Sequence, residues 1–420
     1  MRPSAPRDMN RRLSPAWILA ILTGLNLFNY IDRFVLSSVL TPLKADLGLT
    51  DGQTGRIATA FMIGYFVTSP IFGYLGDRMP RKWLIAAGIF VWSLGTVLTG
   101  YASTLGMLLA FRALVGLGEA SYATVSPSLI SDNFVATRRN LALTIFYVAI
   151  PVGAAIGNIF GGVIAESYSW RHAFIFSGAP GLVLALVLLP FRETSRGQSD
   201  AANAAPRTRP TVKDIVRLFW IPRFVLVVLG YTAYTFALGA FGTWGPTFFV
   251  RVHHMGLSQA GTFFGGMMVV TGLLGTFTGG WLAGVWQRRT PAGYAWTIAL
   301  SVLAAVPFAV LSFTLPNQFA AQVCLALAML LLWFCTGPVN TITLEAVPAN
   351  LQASAMAVSI FMIHLLGDLW SSEIVGRLSD LWHDLQKAVL ILPGALLVAA
   401  ILWLFLALQT RREVKTAPAA

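Results

Sequence analysis

Two ten-residue stretches decide the fold: Gly73-Tyr74-Leu75-Gly76-Asp77-Arg78-Met79-Pro80-Arg81-Lys82 and, 207 residues later, Gly280-Trp281-Leu282-Ala283-Gly284-Val285-Trp286-Gln287-Arg288-Arg289. They align without a gap, with Gly284 standing where Asp77 does. Each leaves one long apolar segment and enters another, so each reads as a short basic loop between two membrane spans. One such match could be chance. The same offset also carries the second apolar segment onto the eighth, which is what an internally duplicated helical bundle requires.

Working outward from these loops, apolar segments recur along all 420 residues. The chain is 56% hydrophobic and 11% charged, with mean hydropathy +0.71, outside the range of soluble domains. A span needs about 20 mainly apolar residues at about 1.5 Å rise each. On that measure helices are expected near 16–40, 52–76, 82–101, 105–131, 140–165 and 171–191, then 222–250, 258–285, 292–314, 318–344, 353–378 and 387–409. The predicted fold is an all-α membrane protein of twelve transmembrane helices in two pseudo-symmetric six-helix bundles. Its parts are an N-terminal bundle over 1–191, a cytoplasmic linker over 192–221 rich in Ser, Ala, Pro and Arg, and a C-terminal bundle over 222–420.

The net charge of +12 does not indicate nucleic acid, because the basic residues are scattered between apolar spans. Lys44, Arg56, Arg171, Arg251, Arg377 and Lys387 fall on one side, Arg33 and Arg112 within spans, and all the others on the side of the termini. That imbalance places both termini in the cytoplasm. The polar N-terminus leads into an apolar stretch read as a retained first helix. Cys324 and Cys335 share one predicted span, so neither a disulfide framework nor a metal site is expected.

An ionisable group inside a span costs a few kcal/mol and calls for a cavity, a partner or a function. Asp32 and Arg33 sit in Asn29-Tyr30-Ile31-Asp32-Arg33 of span one. Neighbours on a helix diverge by about 100°, so one is expected to face a cavity and the other a neighbouring helix. Arg112 and Glu119 on span four are seven apart and share a face, and Gly116 and Gly118 between them let another helix come close. An acid pair, Asp32 and Glu119, beside two arginines is a candidate for taking up and releasing a proton. The other reading is a static ion network that fixes helix register. His364 and Asp368 of span eleven, four apart, either line the cavity or make a helix-packing hydrogen bond. Tyr231, Tyr234 and Phe236 of span seven and Trp333 of span ten could line an amphiphile pocket, although aromatics at such spacings more often pack. Glu166, Glu345 and Glu373 lie near span ends, where a solvated carboxylate is the default.

The loop Gly73–Lys82 resembles the signature of the major facilitator superfamily: a glycine, an acid four positions on, then a basic cluster. That resemblance assigns Asp77, Arg78, Arg81 and Asp132 at the end of span four to an inner gate, with no equivalent acid at Gly284. Asn29–Arg33 and Arg112-xxx-Gly116-x-Gly118-Glu119-Ala120 occur in both the anion:cation symporter and spinster groups. The stretch Gly118-Glu-Ala-Ser-Tyr122-Ala-Thr-Val-Ser-Pro127-Ser-Leu-Ile-Ser-Asp132-Asn-Phe134, then Phe146-Tyr147-Val-Ala-Ile-Pro151-Val-Gly153 and His364-Leu-Leu-Gly367-Asp368, is similar to the spinster family of lysolipid transporters.

That resemblance implies a proton-coupled secondary transporter working by alternating access, with Asp32, Arg33 and Glu119 as its functional trio. Asp32 and Glu119 would then carry protons, and Arg33, Arg112, Tyr122, Tyr231, Tyr234, Trp333, His364 and Asp368 would line the substrate path. The expected partners are a lysolipid or similar amphiphile, protons and the bilayer, with no cofactor, no nucleic acid and a monomeric chain. With no Asn-x-Ser/Thr sequon, and brief tails and linker, a bacterial inner membrane is expected. The alternative is a proton-coupled transporter of a small organic anion or drug-like compound, which the shared motifs of spans one and four allow. An enzyme is not expected: there is no His-Glu-x-x-His, no Gly-x-Ser-x-Gly elbow and no phosphate-cradling loop, and Gly116-x-Gly118 follows no strand.

Overall fold

The computed structural model describes residues 14–187, 212–348 and 351–416. Its first half contains α1 (Pro15–Leu47), α2 (Asp51–Arg78), α3 (Arg81–Gly100), α4 (Leu105–Asn133), α5 (Ala136–Ser167) and α6 (Trp170–Val187). The linker contributes a short helix, α7 (Val212–Leu218). The second half follows with α8 (Pro222–Val252), α9 (Leu257–Gln287) and α10 (Gly293–Thr314). Its tenth span is broken into α11 (Gln318–Trp333) and α12 (Thr336–Glu345). The eleventh runs through α13 (Gln352–Ile363), a π turn over His364–Asp368 and α14 (Leu369–Trp382). The chain ends with α15 (Leu385–Val389) and α16 (Ile391–Thr416).

Among the described residues eleven helices are long and apolar enough to cross a membrane, and α6, described as far as Val187, takes the remaining place in the order. The twelve expected spans all coincide with these helices, so the protein is an all-α membrane protein. The long interruption expected over 192–221 lies outside the described residues as far as 211, and α7 occupies part of the remainder.

Local sequence sets several of the helix ends. Thr50 and Gln53 form a capping box at the start of α2, and Thr104, Asn317 and Asp384 each accept a backbone N–H of the following turn. Gly48 closes α1 in the left-handed region at φ 62°, where a side chain would be strained. Prolines sit inside several spans, among them Pro42, Pro151 and Pro246, as membrane helices tolerate.

Close packing draws α4 against both its neighbours. A Cβ on Gly116 would stand 2.1 Å from the Phe61 carbonyl of α2, and one on Gly118 2.5 Å from the Trp92 nitrogen of α3. The two glycines therefore do what their lack of bulk allows: they bring Arg112 and Glu119 to the centre of the first half. The halves meet along α2 with α14, α5 with α9 and α1 with α8. A cavity lies between them.

Candidate functional site

That cavity encloses about 530 Å³, within the range of pre-formed small-molecule sites. Its first-half wall is built by Tyr30, Arg33 and Phe34 of α1, Phe61 and Met62 of α2, and Arg112 of α4. Its second-half wall is built by Tyr231 and Thr235 of α8, Met267 of α9, Met329 and Trp333 of α11, and His364, Asp368 and Ser372 of the eleventh span.

The α1 pair diverges as helix geometry requires. Arg33 points into the cavity, with Nη2 3.4 Å from the Met62 sulfur and its guanidinium carbon 4.7 Å from the Phe61 ring centre. Tyr30 and Tyr65 stand 5.8 Å from the same guanidinium. Asp32, only 1% exposed, lines neither this cavity nor its small neighbour and turns instead toward Thr96 of α3 and Ser177 of α6. It stays within electrostatic reach of Arg112 and Glu119.

Arg112 is also 1% exposed, with its guanidinium 5.1 Å from the Phe61 ring, so one aromatic ring serves two cations. Its Nε and Nη1 donate to no protein acceptor. Glu119, two turns further along α4, faces Asn29 of α1 and feels both Arg33 and Arg112. Two carboxylates and two guanidiniums from α1 and α4 thus form one buried cluster in which only the arginines reach the main cavity.

On the opposite wall the His364 ring and the Asp368 carboxylate are bonded, Nδ1 lying 3.0 Å from both carboxylate oxygens. Both side chains line the cavity, and the bond between them lies within one span rather than between helices. Tyr231 and Trp333 are lining residues as well. Tyr234 and Tyr122 are not. Tyr234 is buried and donates its hydroxyl to the Leu332 carbonyl at 2.8 Å, with its ring 5.7 Å from Trp403. Tyr122 is fully buried, donates to the Leu22 carbonyl and packs edge-on against Trp92. Both hold helices together behind the cavity wall.

Of the expected gate residues, Arg81 donates to Asp132 at 2.5 Å, tying the start of α3 to the end of α4 within the first half. Arg78 is exposed and lies over the ring of Tyr74, 3.6 Å from its centre. The side chain of Asp77 lies outside the described residues.

The end of the bundle that carries the α1–α2 turn holds a set of charged contacts the sequence did not foresee. Asp380, near the end of α14, accepts the Asp51 and Gly52 backbone N–H groups at 2.8 and 2.7 Å and so caps α2 of the other half. Glu166, near the end of α5, accepts the Ser258 N–H at 2.7 Å and so caps α9. The two acids occupy matching places, the last turn of the fifth span in each half, and each serves the second span of the opposite half. Around them Asp51 binds Lys44 at 2.5 Å, Arg251 at 2.7 Å and Ser379 at 2.6 Å, while Arg56 donates to Glu373 at 2.9 Å.

The expectation of a solvated end carboxylate is overturned for Glu373, which is 6% exposed and paired also with Arg377 at 2.5 Å, whereas Glu166 is exposed as expected and caps α9 as well. Glu345 is exposed, as expected. The signal available was an acid in the last turn of two symmetry-related spans. Phe61 and Met62 of the cavity wall, and Tyr65 beside Arg33, carried no signal, since aromatics and methionine on an apolar helix look alike on every face.

The pattern of the Major Facilitator Superfamily matches residues 22–371. The probable sphingolipid transporter spinster homolog 1 of Arabidopsis thaliana is 30% identical, over 95% of this chain and 89% of its own. Protein spinster homolog 3 of Danio rerio is 32% identical, over 99% and 89%. Among solved structures, a bacterial homolog of the human lysosomal transporter Spinster, in an inward-facing and unoccupied conformation, superposes with a TM-score of 0.87. It is 23% identical and is covered over 99% of its length by 96% of this chain.

Proposed function

The chain belongs to the spinster family of the major facilitator superfamily and is a membrane transporter rather than an enzyme, and from that premise we propose that it moves a lysolipid or similar phosphate-bearing amphiphile in exchange for protons. The carrying observation is that Arg33 and Arg112 line an otherwise largely apolar cavity between the halves. A guanidinium offers a phosphate two parallel donors, and Arg112 has two N–H groups with no protein acceptor. Phe241, Met267 and Met329 supply apolar wall for a hydrocarbon chain.

Asp32 and Glu119 are the proton carriers of this scheme. When both are ionised they compete with a phosphate for the arginines, and when Glu119 takes up a proton that competition ends. Proton binding and headgroup binding are then linked through the same two guanidiniums. A change in their pairing alters the relative stability of the two access states. The moving bodies are the bundles over 1–191 and 222–420, rocking about the cavity, with 192–221 as their linker. Loss of the caps between α2 and α14, and between α5 and α9, opens the α1–α2 end. The excess of Lys and Arg at the termini side orients that end outward and the termini to the cytoplasm of a bacterial inner membrane, with the chain acting as a monomer.

The test is flux of a lysolipid panel into proteoliposomes under an imposed pH gradient, with sugar acids as competitors. Saturable, gradient-dependent lysolipid flux that sugar acids do not inhibit is expected. Competition by the organic anions instead, with no lysolipid flux, overturns the substrate assignment.

A further inference from the structure

Beside the main cavity lies a second, small one of about 40 Å³, bounded by Asn26, Asn29 and Tyr30 of α1, Glu119 of α4, and Tyr147 of α5, with Arg33 closing it. Tyr30 and Arg33 of α1 and Ile150 of α5 line both spaces and form the partition between them. Two buried polar atoms of residues that line it face each other without a direct hydrogen bond: Nδ2 of Asn29, on a residue 4% exposed, and Oε1 of Glu119, on a residue 1% exposed. A buried amide and a buried carboxyl oxygen without protein partners call for water. At roughly 10–15 Å³ for each ordered water, the space holds about three.

We propose that this annex is a water site, anchored by Asn29 and Glu119, through which Glu119 exchanges its proton with the main cavity past Tyr30 and Arg33. The inference rests on the proton-coupled reading above and divides the two buried acids by access. Asp32 lines neither space and faces hydroxyls of α3 and α6, so its own exchange waits on movement of those helices. The groups that act on Glu119 come from three neighbouring elements and its own: Asp32, Tyr30 and Arg33 of α1, Tyr65 of α2, Tyr147 of α5 and Arg112 of α4. A phosphate bound to the Arg33 guanidinium in the main cavity holds it off the small space, which ties proton exit to headgroup arrival.

Ala123, one turn beyond Glu119 on α4, also borders the annex and carries no polar group. Ala123→Leu fills the space without touching the charged cluster, and Ala123→Ser leaves it open. Two readouts in proteoliposomes separate the roles: substrate counterflow without a gradient, which needs no net proton movement, and accumulation driven by a pH gradient. The expected result is that Ala123→Leu keeps counterflow and loses gradient-driven accumulation, while Ala123→Ser keeps both. Gradient-driven accumulation at the wild-type level in Ala123→Leu overturns the proposal, as does loss of both activities in Ala123→Leu protein that remains folded by thermal unfolding. A wild type that counterflows substrate yet ignores the gradient is a different failure: it removes proton coupling itself, and the water site with it.

Discussion

Asp32 and Arg33 are adjacent, yet one meets a wall of hydroxyls and the other a cavity. Their 100° divergence is a property of any helix, so the split was legible from the sequence. Which of the two would face inward was not, because that depends on where α3, α4 and α6 pack. Their partners Phe61, Met62 and Tyr65 were hidden for the same reason. Two expectations follow at this scale. Asp32→Asn and Glu119→Gln each remove a titrating group and leave packing volume nearly unchanged, so each is expected to abolish pH-dependent flux in protein that still folds. Undiminished pH dependence in both variants would refute the assignment of the acids. Arg33→Lys keeps the charge and loses the planar pair of donors, at about 1.5–3 kcal/mol for a charge-assisted hydrogen bond. Titration of the purified variant with a lysolipid is expected to show binding weaker by roughly ten- to a hundredfold.

Among the elements, α2, α5, α9 and α14 carry the contacts that differ most from what the sequence suggested. Acids near span ends are usually solvated, and nothing in a linear sequence says that Glu166 and Asp380 each reach a helix start in the other half. Pseudo-symmetry was the usable clue, and it needs the spans to be matched across two loops of unequal length. A carboxylate cap at a helix start contributes about 1 kcal/mol. Glu166→Ala with Asp380→Ala is therefore expected to shift the balance of access states by roughly tenfold or more toward opening of the α1–α2 end. Spin labels placed on α2 and α14 near that end should report a longer distance population in the double variant than in the parent. An unchanged distribution would show that Asp51 and its basic partners suffice alone. The broken tenth span and the π turn at His364–Asp368 were likewise invisible, since hydropathy averages over a window longer than a single turn.

For the whole molecule, the duplicated loops and the spacing of apolar segments located every span, because the bilayer imposes a length that composition must obey. The sidedness of the bundle rests on the distribution of Lys and Arg. It is checked by single cysteines in a background lacking Cys324 and Cys335. Thr290→Cys is expected to react with an impermeant thiol reagent only from the cytoplasmic face, and Ser103→Cys only from the opposite face. Reaction of both from one face would invert the orientation.

The fastening between α5 and α9 has an unequal vulnerability. Its acceptor is a side chain, Glu166, but its donor is the peptide nitrogen of Ser258, a group that nineteen of the twenty amino acids would bring to that position. Drift at 258 short of proline leaves the clasp intact, whereas a single change at 166 releases it. A survey of tolerated variants should find the first site permissive and the second guarded.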